Sequence, residues 1–107
     1  MPFNFSEESE WNLENELRCL LIFKELEESS FPRGLQVDLA TKMSSQTNLS
    51  VGNISAKVSN YKSEAGINAE SNSSEATKVL YQRFGSLSLK EVKALYEGYK
   101  LAQEQNA

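Results

Sequence analysis

The chain has 107 residues, 39% of them hydrophobic and 24% charged, with a net charge of −4. That is enough for one folded domain with one core, and no apolar run reaches the ~20 residues a membrane span needs. There is no histidine and one cysteine, which removes Ser-His-Asp and Cys-His nucleophiles, His-based zinc and HNH motifs, and any internal disulfide. Carboxylate-only metal chemistry survives, but the acidic residues are scattered along helical stretches; neither an enzyme nor a cofactor is expected. The lone thiol, Cys19, lies in the apolar run CLLIF and reads as inert core in a reducing cytoplasm. The N-terminal MPFNFSEESE is acidic and lacks the pattern of a signal peptide.

Charge is unevenly spread. Residues 1–31 hold eight Glu against Arg18 and Lys24, whereas residues 32–64 hold Arg33, Lys42, Lys57 and Lys62 against Asp38 and Glu64. The remainder is balanced, so the middle third alone is positive.

Nearly everything reads as helix, with prolines only at Pro2 and Pro32 and no alternating strand pattern. A first helix is expected over about residues 9–28, with Trp11 near its start and Leu13, Leu17, Leu20 and Leu21 on one face. Its Glu-rich side is expected outward. Pro32 disfavours helical geometry at Phe31 and ends it. A short second helix, about 33–43, offers Leu35, Leu39 and Met43, with Ala40 beside them.

After the polar turn SSQTNL, Ser50 is placed to cap a third helix. Val51, Ile54, Val58 and Tyr61 form its buried stripe, and Gly66 with Ile67 has the pattern of a Schellman ending. A fourth helix follows a polar linker. Asn72 and Glu75 are spaced as its capping box, Ala76, Val79, Leu80 and Phe84 form its apolar face, and Gly85 stops it. A fifth begins with the box Ser88–Glu91, stapled by Leu87 and Val92, and turns Leu89, Val92, Leu95, Tyr96 and Tyr99 to the core. The final LAQEQNA is expected to fray or to lead into a linker. The fold class is therefore all-α: one domain of about five helices.

The second and third helices, about 33–66, have the grammar of a helix-turn-helix, whose second helix lies in the major groove. Opposite the buried stripe of the third helix lie Gly52, Asn53, Ala56, Ser59, Asn60 and Ser63. Small residues admit the backbone to a groove, Asn bonds adenine, and Ala meets a thymine methyl. Lys57 and Lys62 on the flanks, with Arg33, Lys42, Ser45 and Thr47, would reach phosphates, and the helix N-terminus at Ser50 favours one. The same face also suits a solvated surface or a helix–helix contact. A one-helix reader makes few contacts, so a homodimer on double-stranded DNA is expected, with the Tyr-rich last helix as the dimer surface.

The run ISAKVSNYKS, preceded by LS and followed by NSSEATKVLYQRF, resembles a small helical DNA-binding domain. That domain occurs at the N-terminus of HNH-type restriction and homing nucleases and in phage or phage-satellite replication initiators and repressors. The likeness rests on Trp11, the run Ile54–Lys57–Val58–Asn60–Tyr61 and the Ser-rich entry to the next helix, and covers roughly residues 11–84. It implies targeting of a fused or partner effector to DNA, with Asn53, Ala56, Lys57 and Asn60 at or beside the groove. No nuclease activity follows, because the chain has no His. The rival expectation is a phage-encoded inhibitor that presents the acidic first helix, Glu14, Glu25 and Glu28, to a host nucleic-acid-binding protein.

Overall fold

A computed structural model describes residues 11–70 and 72–105. It contains α1 (Leu13–Glu28), α2 (Leu35–Ser44), α3 (Val51–Glu64), α4 (Glu75–Phe84) and α5 (Leu89–Gln105). No strand occurs among the described residues. The expected start of the first helix at residue 9, and the acidic segment before it, lie outside the described residues. Within them α1 begins at Leu13, because the Asn12 side chain accepts from the Asn15 amide at 2.8 Å. Trp11 therefore precedes the cap rather than opening the helix.

α1 is the axis of the fold, packed by each of the other four helices. Leu17, Leu20, Phe23 and Leu26 are buried along it. At about 100° per residue, the buried arc also includes Cys19 and Ile22, so α1 is covered on most of its circumference. It ends at Ser30 and Phe31, both with positive φ (61° and 54°). The Phe31 amide reaches back to the Leu26 carbonyl and that of Ser30 to Glu27. This Schellman pattern places a non-glycine residue in the left-handed position, so the helix is already closed before Pro32.

α3 forms as its residues dictate. Ser50 Oγ accepts from the Asn53 amide at 3.1 Å, and Ile54, Val58 and Tyr61 are fully buried. Each such apolar side chain withdrawn from water contributes roughly 1.5–3 kcal/mol. Gly66 takes φ 78°, and the Ile67 amide bonds the Lys62 carbonyl. Ile67 itself remains 47% exposed, so the hydrogen bonds of the ending form without its apolar contact.

α4 is capped differently from the Asn72–Glu75 expectation. Ser74 is the cap and accepts from the Thr77 amide at 3.2 Å. Its hydroxyl also faces α1 and α3, a tertiary gain that Asn72 does not have. Gly85 ends α4 in the right-handed region (φ −64°). Its lack of a side chain matters through close approach: a Cβ there would lie 2.5 Å from the Tyr81 carbonyl. The Ser88–Glu91 box forms with both bonds, 2.9 and 3.1 Å, and Leu87 and Val92 both join the core. α5 continues to Gln105, through most of the stretch expected to fray.

Candidate functional site

α2 and α3 are joined by a turn over residues 45–50 and packed against each other. Ala40 is fully buried, which lets the helices approach. Gln36 fastens the pair: its Nε2 donates to the Ser55 carbonyl and to the Ser55 and Ser59 hydroxyls at 2.9–3.1 Å. Its Oε1 accepts from Lys62 Nζ at 3.0 Å. The Lys62 ammonium also lies 5.5 Å from the centre of the Phe31 ring.

These contacts sort the residues expected to meet DNA. Gly52, Asn53 and Ala56 are exposed, all within the first two turns of α3. Asn60 and Ser63 are half-buried, and Ser63 donates toward the Ser59 and Ala69 carbonyls. Ser59 belongs to the α2–α3 seam. Ser45 donates to the Lys42 carbonyl at 2.6 Å and Thr47 to the Met43 carbonyl at 3.1 Å. Each hydroxyl has one hydrogen, so these two close the turn instead of donating to a phosphate. Ser50 uses only acceptor capacity in its cap, which leaves its hydrogen to donate outward. Arg33 is exposed beside the start of α2. Lys42 lies about 120° round α2 from Gln36 and lines a groove with α1 and α5, a different surface.

Lys57 departs most from expectation. It lies only about 40° round α3 from Tyr61 and is buried, not flanking. Its ammonium is 2.8 Å from Glu16 Oε1 and within 3.4 Å of the Ser74 and Thr77 hydroxyls. The indole of Trp11 covers it, with 4.5 Å to the ring centre. Glu16 has no exposed surface and also accepts from Tyr61 Oη at 2.7 Å and from Thr77 Oγ1 at 3.3 Å. The carboxylate is thus held by α1, α3 and α4 at once, and Lys57 is withdrawn from any phosphate.

The sequence reading missed this cluster, although its signal is present. On a helical wheel Glu16 falls between Leu20 and Phe23, in the middle of the buried arc. An acidic residue there needs a buried partner. The cluster also fixes α4 electrostatically. Glu16 sits at the N-terminal end of α4, and Lys24, eight positions further along α1, donates to the Gly85 carbonyl at its C-terminal end at 2.5 Å. Both charges complement the α4 dipole.

The cluster perturbs its neighbours. Burial first, then the Glu16 charge, pushes the Tyr61 hydroxyl well above its usual range. Burial, reinforced by Glu16, pushes the Cys19 thiol far up as well, so it is no nucleophile at neutral pH. Among the described residues no group of three or more His, Cys, Asp or Glu is placed to hold a metal, and no helix is long and apolar enough to cross a membrane.

The acidic side of α1 is only partly free. Glu16 is buried, and Glu14 and Glu25 share the groove with Arg18, Lys42 and Lys100. Glu27 pairs with Lys24 at 3.0 Å, and Glu28 is exposed at the helix end. Tyr96 and Tyr99 pack on the core cluster, as their spacing predicts, and each stays partly exposed. No protein-family model, curated protein or solved structure matches the chain.

Proposed function

We propose that α2 and α3 form a helix-turn-helix that reads double-stranded DNA sequence-specifically, with the first turns of α3 in the major groove. The observation that carries this reading is the composition of the exposed α3 face. Gly52, Asn53 and Ala56 stand in water at the N-terminal end of a helix whose other sides are committed to the core, to α2 and to α4. In a helix-turn-helix those first turns meet base edges. Asn53 supplies a bidentate amide, Ala56 a methyl contact, and Gly52 the room for close approach. Arg33, Lys62, the Ser50 hydroxyl and the amides at the start of α3 serve phosphates. The domain acts as a homodimer, with duties that fit replication-origin recognition, repression or targeting of an attached effector in a phage or mobile element.

Selection from a random duplex library with the purified chain tests this and is expected to enrich one site, spaced in half-sites. Asn53→Ala should relax one position by roughly 1–3 kcal/mol. Arg33→Ala should weaken binding to every sequence. With two cations per protomer at phosphates, the slope of log affinity on log salt is about −2 per protomer. A library that yields no enriched sequence, or an unchanged site preference in Asn53→Ala, defeats the proposal.

A further inference from the structure

We propose that the groove between α1, α2 and α5 binds a small amphipathic monoanion, an aromatic or aliphatic acid with an apolar body. The groove encloses about 620 Å³, within the usual range for small-molecule sites. Its floor is apolar. Leu21, Leu39 and Tyr96 pack on the core yet stay partly exposed there, above the buried Met43. Apolar surface left open between helices and rimmed by charge is the usual form of a ligand site.

The rim sets the sign of the ligand. Arg18, Lys42 and Lys100 line it, and none of the three is ion-paired with a described carboxylate; the described pairs are Lys24–Glu27 and Lys57–Glu16. Arg18 donates one guanidinium nitrogen to Gln46. Its other N–H groups remain to meet a carboxylate or sulfonate side-on. Lys100 is held over the Tyr96 ring, 5.7 Å from its centre, so its ammonium stands above the apolar floor. Glu14 and Glu25 also line the rim and leave a net charge of +1. The balance favours a single negative head over a cation. In a chain of net charge −4, this is a locally positive groove with apolar side chains at its base. It contains no residue of the exposed α3 face, so its fate is separate from that of DNA reading.

The test titrates the full chain with 1-naphthoate and follows backbone amide shifts by NMR. The expected result is saturable one-to-one binding, with the largest shifts at Arg18, Leu39, Tyr96 and Lys100. Arg18→Gln and Lys100→Gln should each raise Kd by about threefold or more, and Glu25→Gln should lower it by about two- to threefold. The cationic analogue 1-naphthylmethylammonium should not bind. Equal binding of that cation, shifts centred away from the groove, or a Kd indifferent to all three substitutions would overturn the proposal. Glu25→Gln removes none of the hydrogen bonds or ion pairs described above, so tighter binding remains a usable readout if a cation variant folds poorly.

Discussion

Lys57→Met should destabilise the protein by about 3–5 kcal/mol. The substitution keeps the length of the side chain and its place under Trp11, but removes the ammonium 2.8 Å from Glu16. The carboxylate, with no exposed surface, is then left with the Tyr61, Thr77 and Ser74 hydroxyls. Three neutral donors do not replace a cation for a charge that cannot reach water. Against a total stability of about 5–15 kcal/mol for a domain of this size, that loss should lower Tm by at least ~12 °C. Glu16→Gln should cost a similar amount, because it strands Lys57 instead. The double variant Glu16→Gln/Lys57→Met removes both charges and should recover a large part of the loss, with a coupling energy of about 2 kcal/mol or more. Urea unfolding followed by circular dichroism gives all three values. The fluorescence of Trp11, the sole tryptophan, should also respond to loss of the overlying cation. A cost below about 1 kcal/mol for Lys57→Met, the range of an exposed pair, or strict additivity in the cycle, would refute the account of a buried network. The double variant also bears on function: if it folds, it should keep whatever DNA affinity the wild type has, because Lys57 touches no phosphate.

Three further outcomes follow from the geometry. Stability should fall as pH rises above about 9: Cys19 and Tyr61 ionise near 9.0 and 10.0 in the unfolded chain but not when buried. The unfolded state then binds fewer protons than the native one, so each group lost this way lowers stability by about 1.4 kcal/mol per pH unit; a flat profile between pH 8 and 11 would contradict it. At the acid end, the Ser88 amide and hydroxyl hold the Glu91 carboxyl below its ordinary 4.5, so the start of α5 is fully secured above 4.5 and loosens as pH falls below it through the lowered native value. The protection of the Ser88 and Glu91 amides, relative to intrinsic exchange at each pH, should fall on acidification in the wild type and vary less with pH in Ser88→Ala. Lastly, Gly85→Ala should destabilise, since its Cβ would meet the Tyr81 backbone at 2.5 Å. Gly98→Ala, with nothing within 4 Å, should stabilise by roughly 0.5–1 kcal/mol through helix propensity; equal effects at the two sites in thermal melts would argue against the close approach.

The sequence by itself determined what depends on neighbours within one turn of chain. The Ser50 cap, the Ser88–Glu91 box, the Val51–Ile54–Val58–Tyr61 stripe and the Gly66 stop each rest on residues three or four apart, and each appears where the spacing puts it. The exposed trio Gly52, Asn53 and Ala56 was legible for the same reason, as the side of α3 opposite that stripe. The tertiary structure decided everything that depended on which helix lies beside which. Glu16 meets Tyr61 from 45 residues away and Thr77 from 61; no local pattern names those partners, even though the wheel position of Glu16 announces that some partner must exist. That one docking withdrew Lys57 from the surface and moved the α4 cap from Asn72 to Ser74, whose hydroxyl adds Lys57 and Glu16 to its contacts. Capping and amphipathic spacing are short-range and repeat with the helix, so a sequence displays them. The partner of a buried charge is settled only when separate helices come together and water is excluded from between them.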